Sequence, residues 1–235
     1  MLLEVIVTCV EDAIIAEANG ADRLELITAI TEGGLTPGIG MVQQVVKAVA
    51  IPVHVMVRPH SRSFVYGEAD MLTMEAEVRA IVEAGAAGIV FGALTAERTI
   101  DEAALERILA LTGRLNVTFH RAFDELADLR SGLRTLMRYP QVNRVPTSGG
   151  LRPAPQAIPA VRELVELAQG SSLRILAGHG LTLETVSQFV SETGVTEVHF
   201  GSAVRVSGEG LAPLDPTKLL SLSQLLHDGS RQETP

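Results

Sequence analysis

Cysteine is almost absent from this chain: Cys9 is the only one in 235 residues. No intrachain disulfide can form and no site built from several thiolates fits within one chain, a usage that suits a reducing cytosol. Basic charge is scarce as well, with 19 lysines and arginines against 28 acidic residues and a formal net charge of −9. Nucleic acid and anionic membrane surfaces both demand a basic stripe, so neither is expected as a partner, while a small local basic site stays compatible. No window reaches the roughly 18 apolar residues of a membrane span. Met1-Leu2-Leu3-Glu4-Val5 lacks the charged start and apolar stretch of a secretion signal, so the expected location is cytoplasmic. HxxxH, CxxC and GxSxG spacings are missing, and no lysine follows a glycine run. Metallohydrolase, zinc, serine hydrolase and nucleotide-kinase readings therefore lack support. Met41, Met56, Met71, Met74 and Met137 are scattered over the chain and read as core filler rather than a copper-binding cluster.

What the chain does have is apolar residues, 46% of the total, enough to bury a large core as one α/β domain over residues 1–227 with a frayed tail over 228–235. Strand-like stretches open at Leu2, Arg23, Val53, Gly85, Val117, Val142, Leu173 and Glu197, each followed by a helical stretch. This alternation has the length and rhythm of a (β/α)8 barrel, with a doubly wound sheet as the runner-up. The connection Pro59 to Gly67 is long and polar, as binding loops and lids are.

Side chains alternate faces along a strand, and in a barrel one parity meets the helices while the other meets the axis. Sorting by parity puts Val5, Val7, Leu24, Leu26, Val53, Val55, Val57, Val117, Phe119, Val198 and Phe200 on one side. On the other fall Glu4, Thr8, Arg23, Glu25, His54, Met56, Arg58, Thr118, His120, Glu197 and His199. Charges on an axis lose hydration and must be paired. Glu4 and Glu25, facing Arg58 and a histidine, form the expected cluster, with a purely structural salt-bridge network as the other reading for Glu4. Glu25, Arg58 and His120 lie nearer the C-terminal strand ends, where barrel active sites are built.

The stretch Val117-Thr118-Phe119-His120-Arg121-Ala122-Phe123-Asp124 carries the densest chemistry. His120 is the candidate general acid or base, since an ordinary imidazole exchanges protons near neutrality. Asp124 either orients that imidazole or caps the following turn. Arg121, of opposite parity, is expected to pair with a neighbouring loop or helix. Thr147-Ser148-Gly149-Gly150, Gly178-His179-Gly180 and Gly201-Ser202 end the sixth, seventh and eighth strands, where small residues let backbone N–H groups approach an anion. With Arg58 as clamp, they suggest a phosphate or carboxylate ligand.

Taken in order, Gly20-Ala21-Asp22-Arg23-Leu24-Glu25-Leu26, Glu32-Gly33-Gly34-Leu35-Thr36-Pro37, the Val117 to Asp124 stretch, Thr147-Ser148-Gly149-Gly150 and Glu197-Val198-His199 resemble the CutC family. The resemblance implies a TIM-type barrel, a homo-oligomer, and a role in copper homeostasis, with copper as the implied ligand. Family members commonly carry cysteine where this chain has Ile6, Ile27 and Val65, and those thiolates would suit Cu(I). The chain also lacks the family's glycine pair after Arg58 and has His179 where glycine is frequent. Two functions follow: a copper-homeostasis protein, or an enzyme acting on a small anionic metabolite with His120 as acid/base, Glu25 as its partner, Arg58 as clamp and His199 nearby.

Overall fold

The computed structural model describes residues 1–228, so the expected tail falls, from Gly229 on, outside the described residues. Eight parallel strands close into a barrel in chain order: β1 (Leu2–Val7), β2 (Arg23–Leu26), β3 (Val53–Met56), β4 (Gly88–Phe91), β5 (Asn116–Phe119), β6 (Val142–Thr147), β7 (Arg174–Ala177) and β8 (Glu197–Phe200). The helices α1 (Val10–Ala18), α2 (Ile39–Ala48), α3 (Glu68–Glu83), α4 (Glu102–Thr112), α5 (Leu129–Leu136), α6 (Ile158–Ala168), α7 (Val186–Thr193) and α8 (Pro216–Asp228) follow their strands in turn. The (β/α)8 reading holds and the doubly wound sheet is excluded, because β1 pairs with both β2 and β8.

Three helices begin where a side chain supplies an acceptor for their orphan N–H groups. Cys9 caps α1 with its sulfur, Asp101 caps α4, and Asp128 caps α5 by accepting from Arg130 and Ser131. The apolar parity of every strand faces outward and packs under the helices in one continuous core that includes Val5, Leu24, Val55, Val117, Phe119, Val198 and Phe200. A second, small apolar cluster lies inside the barrel, formed by Ile27, Met56 and Val90 with Ile6 and Ile30 against it. Burial of these two sets is what closes the barrel, at roughly 1.5–3 kcal/mol for each fully buried aliphatic side chain.

The polar parity fills the rest of the interior, and part of it is paired charge. Arg23 lies between Glu4 and Glu197, its Nη2 donating to Glu197 Oε2 over 2.8 Å, and Arg144 Nε donates to the same oxygen over 2.8 Å. Three axial histidines each face a glycine. A Cβ added at Gly88 would stand 2.7 Å from His54 Cδ2, one at Gly92 2.5 Å from His120 Nδ1, and one at Gly178 3.2 Å from the His199 ring. The barrel is too narrow for an imidazole and a second side chain at the same level.

Candidate functional site

The C-terminal mouth holds a cavity of about 290 Å³. Glu25, Ile6, Ile27, Met56, Arg58, Phe64, His120, Arg121, His179, Gly180, His199, Gly201 and Ser202 are among the residues that line it. The parity argument thus brought Glu25, Arg58, His120 and His199 to one place.

Glu25 is 5% exposed, and among the described residues nothing hydrogen-bonds its carboxyl. Burial raises its pKa to about 7, with His199 opposing the rise and Glu4 adding to it. His199 lies within 4.8 Å of both carboxylates and donates from Nδ1 to the ionised Glu4 Oε1 over 2.7 Å. Burial alone would push His199 down, but Glu25 and Glu4 outweigh it and its pKa ends above the ordinary value. Glu4 does not line the cavity. It is fully buried, and although burial opposes ionisation, Arg23 and His199 hold its carboxyl well below the usual range. For Glu4 the structural reading is the one the geometry supports, and its reach to the site runs through His199.

Arg58 corrects the expected cluster. It lies beyond the end of β3 and donates from Nη1 to the carbonyls of Glu32 and Gly34 over 3.1 and 3.2 Å, away from Glu4. Its guanidinium stacks over Phe64, 4.6 Å from the ring centroid. Among the described residues no carboxylate lies within 4.0 Å of Arg58, although it is only 6% exposed, and its Nε has no partner. A buried cation without a counterion thus faces the cavity.

His120 is 4% exposed and lies 4.9 Å from Phe64, ring to ring. Its Nδ1 accepts from the Ala122 N–H over 3.1 Å, and burial together with Arg58 lowers its pKa to about 3. The ring is therefore neutral at physiological pH, with its proton on Nε2, which is buried and unpartnered among the described residues.

Asp124 neither orients His120 nor caps a helix. It turns into the Thr147 to Gly150 loop, where it accepts from the Ser148 N–H (3.1 Å), the Gly150 N–H (3.2 Å), the Ser148 hydroxyl (3.2 Å) and the Thr147 hydroxyl. The anion cradle expected there exists, but the protein's own carboxylate fills it. Gly149 donates to Thr147 Oγ1 over 2.9 Å. Gly178 likewise leaves the proposed cradle, since its N–H donates to the Thr147 carbonyl and its missing side chain makes room for His199. Gly180, Gly201 and Ser202 do line the cavity.

Parity misplaced Arg121. Beyond Phe119 the chain enters a 3-10 turn, Arg121–Glu125, which swings this guanidinium to the mouth, where its Nε donates to Asp124 over 3.1 Å. His179, read as the middle residue of a glycine run that could approach an anion, lines the cavity with φ +66°, a left-handed conformation that histidine adopts more often than bulky residues. Phe64 docks the long loop against the mouth, its carbonyl accepting from Leu94 over 2.8 Å.

Copper fits these residues poorly. Cys9 is spent as a helix cap, and Ile6 and Ile27 sit in the inner apolar cluster where thiolates are absent. Glu4, Glu25 and His199 could face one ion, but Glu4 is already engaged by Arg23 and His199, and a guanidinium beside a cation is repulsive. Carboxylate and imidazole donors also suit harder ions than Cu(I).

The fold and site together define a TIM-type (β/α)8 barrel with a cavity at its C-terminal mouth lined by Glu25, Arg58, His120 and His199. The CutC family model matches residues 1–204, and the chain belongs to that family. A human protein named copper homeostasis protein cutC homolog is 40% identical over 198 residues, covering 84% of this chain and 72% of its own length. A CutC family protein of Mesorhizobium japonicum is 39% identical over 201 residues, covering 86% of this chain and 77% of that protein. The solved CutC structure from Streptococcus agalactiae superposes with a TM-score of 0.80 at 29% identity, over 85% of this chain and 97% of that one. Phosphoribosylanthranilate isomerase from Pyrococcus furiosus, at 14% identity and a TM-score of 0.61 over 97% of this chain and 99% of that one, shares the fold alone.

Proposed function

We propose that this chain takes part in the copper homeostasis for which its human and mouse relatives are named, and that it does so as a cytosolic, homo-oligomeric barrel acting on a small phosphate- or carboxylate-bearing metabolite rather than as a holder of copper. One observation carries this reading: a single cavity contains both an unpartnered carboxyl with a pKa of about 7, Glu25, and a buried guanidinium without a carboxylate, Arg58. A buried cation of this kind is stabilised by an anionic ligand. A carboxyl poised at the working pH is suited to proton transfer, and His199, held by Glu4, is placed to share its proton.

The acid–base role first read for His120 passes on this proposal to Glu25 and His199, because His120 Nδ1 is committed to Ala122. Arg58 acts through its charge, most of its donors being spent on carbonyls, while Arg121, Gly180, Gly201 and Ser202 supply the remaining reach toward an anion at the rim.

Thermal melts with inorganic phosphate, small dicarboxylates and phosphorylated metabolites test the reading. A rise in melting temperature is expected for at least one of them, lost in Arg58→Met and reduced in Arg121→Met. No rise with any anion removes the proposal. Anaerobic titration against a Cu(I) chelator is expected to show no tight stoichiometric binding; tight binding would replace this reading with a metal site. Light scattering after size exclusion checks the assembly, with a monomer overturning that part.

A further inference from the structure

His120 and Glu25 face the same cavity with complementary needs. The Ala122 N–H occupies the lone pair of His120 Nδ1, so the ring presents Nε2–H and cannot take up a proton there without breaking that bond. Its orientation is locked by Phe64 on one side and by the missing side chain of Gly92 on the other. A fixed neutral N–H is a hydrogen-bond donor for an oxygen that gains negative charge, and a preorganised donor of this kind stabilises such charge most effectively away from water. Arg58, beside His120 and lacking a carboxylate, adds positive potential at the same place. Glu25 is the complement, a carboxyl with no protein partner among the described residues, on strand β2 and backed by His199.

Among the residues lining this cavity there is no lysine and no cysteine, so neither a Schiff base nor a thiolate adduct can form there. Ile6, Ile27, Met56 and Phe64 give it an apolar wall, and its volume of about 290 Å³ is at the small end of ligand pockets. Such a site takes a compound of few carbons and screens its carbon skeleton from water.

Resting on the ligand-binding reading above, we infer that the cavity catalyses enolisation of a small carbonyl compound bearing an anionic group, with Glu25 as the base and His120 as the oxyanion donor. Glu25 removes the proton from the carbon next to the carbonyl. The C–H electron pair becomes the new C=C bond, and the carbonyl π pair moves onto the oxygen held by His120 Nε2–H. Return of a proton from Glu25, after exchange with solvent, to the same carbon restores the carbonyl compound with its hydrogen exchanged; return to the adjacent carbon of a hydroxycarbonyl, while the hydroxyl proton passes to the enolate oxygen, gives the isomer. No electron acceptor, hydride donor or second substrate is consumed. A neutral imidazole donor opposite a glutamate base is an arrangement known to perform this chemistry in barrel enzymes.

The test incubates the whole protein in D2O with dihydroxyacetone phosphate, glyceraldehyde 3-phosphate, ribulose 5-phosphate, pyruvate and oxaloacetate, after thermal melts have shown which of them bind. Deuterium is expected next to the carbonyl of at least one bound compound. Glu25→Gln should slow that exchange about 10²–10⁴-fold and His120→Leu about 10²–10³-fold, with binding changed far less. Independently of any substrate, ¹⁵N spectra of labelled histidine should show His120 neutral and protonated at Nε2 from about pH 5 to about pH 9. A His120 ring protonated at Nδ1, or one that titrates near neutrality, overturns the inference. Bound carbonyl compounds that exchange no hydrogen also overturn it while leaving ligand binding intact, whereas failure of every anion to bind removes the underlying reading as well.

Discussion

At the scale of single residues, the interior separates charges that hold the barrel from charges kept ready. Glu4 belongs to the first kind: Arg23 engages one of its oxygens and His199 the other, and it does not line the cavity. Glu4→Ala should cost about 3–5 kcal/mol in urea denaturation, because it removes a counterion from Arg23 in a buried setting. Glu25 and His199 belong to the second kind. Both have folded pKa values above their ordinary ones, so the stability they leave intact at lower pH is lost as pH rises through neutrality. Glu4 and Arg23 also face the pair, but Glu4, shifted down, loses its contribution only on strong acidification. Denaturation midpoints should therefore fall from about pH 4.5, the ordinary carboxyl value, to about pH 7, the folded value of Glu25, by up to ~1.4 kcal/mol per pH unit for each proton released, and Glu25→Gln should flatten the fall. A midpoint that rises over that interval would contradict the assignment. His120 shows why a residue's type is an incomplete guide: imidazole suggests a proton carrier, but one backbone N–H on Nδ1 turns it into a donor.

At the scale of elements, strand ends and the loops that follow them decide which groups reach the mouth. Gly92, just past β4, gives His120 its place, and Gly92→Ala should displace the ring, cost about 1–3 kcal/mol by overpacking and abolish ligand-induced stabilisation in thermal melts. The loop after β6 is ordered around Asp124, which receives two N–H groups and two hydroxyls there. Asp124→Ala should leave the Ser148 and Gly150 N–H groups and the Thr147 hydroxyl without an acceptor, lowering stability by about 3 kcal/mol or more, with faster amide exchange at Ser148 and Gly150. Parity along the strands was sufficient to send Glu25, His54, Thr118 and His199 inward, because alternation is a property of the extended backbone itself. It failed for Arg121 because the backbone after Phe119 is a 3-10 turn, in which alternation no longer holds. The glycine runs were legible as special positions, but not their reasons: Gly178 accommodates a histidine, and the Gly149-Gly150 loop encloses an aspartate.

At the scale of the whole molecule, a chain with a net charge of −9 carries a cavity whose lining includes two arginines and a buried carboxyl that is half neutral near pH 7. An anion bound there, present at about a hundred times its dissociation constant, should raise unfolding stability by about 2.7 kcal/mol. His179→Gly, which relieves the left-handed strain at a cavity-lining position, should weaken that stabilisation while changing the unliganded protein by no more than about 1 kcal/mol. Isothermal titration alongside chemical denaturation separates the two effects. Family membership covers residues 1–204 and carries the barrel with it, yet the interior at Ile6 and Ile27 is aliphatic.

From the order of residues alone came the eight-fold alternation of strand and helix, the division of strand residues into greasy and ionisable sets, and the family. All three depend on local periodicity or on motifs read along one dimension. Only the closed barrel decided which charges meet: that Arg23 satisfies Glu4 and Glu197, that Arg58 is held by carbonyls and left without a carboxylate, and that Asp124 fills the cradle after β6. Partners in those contacts lie as far as 174 positions apart in the chain. Their energies depend on burial and on distances set by strand stagger, which no linear pattern encodes.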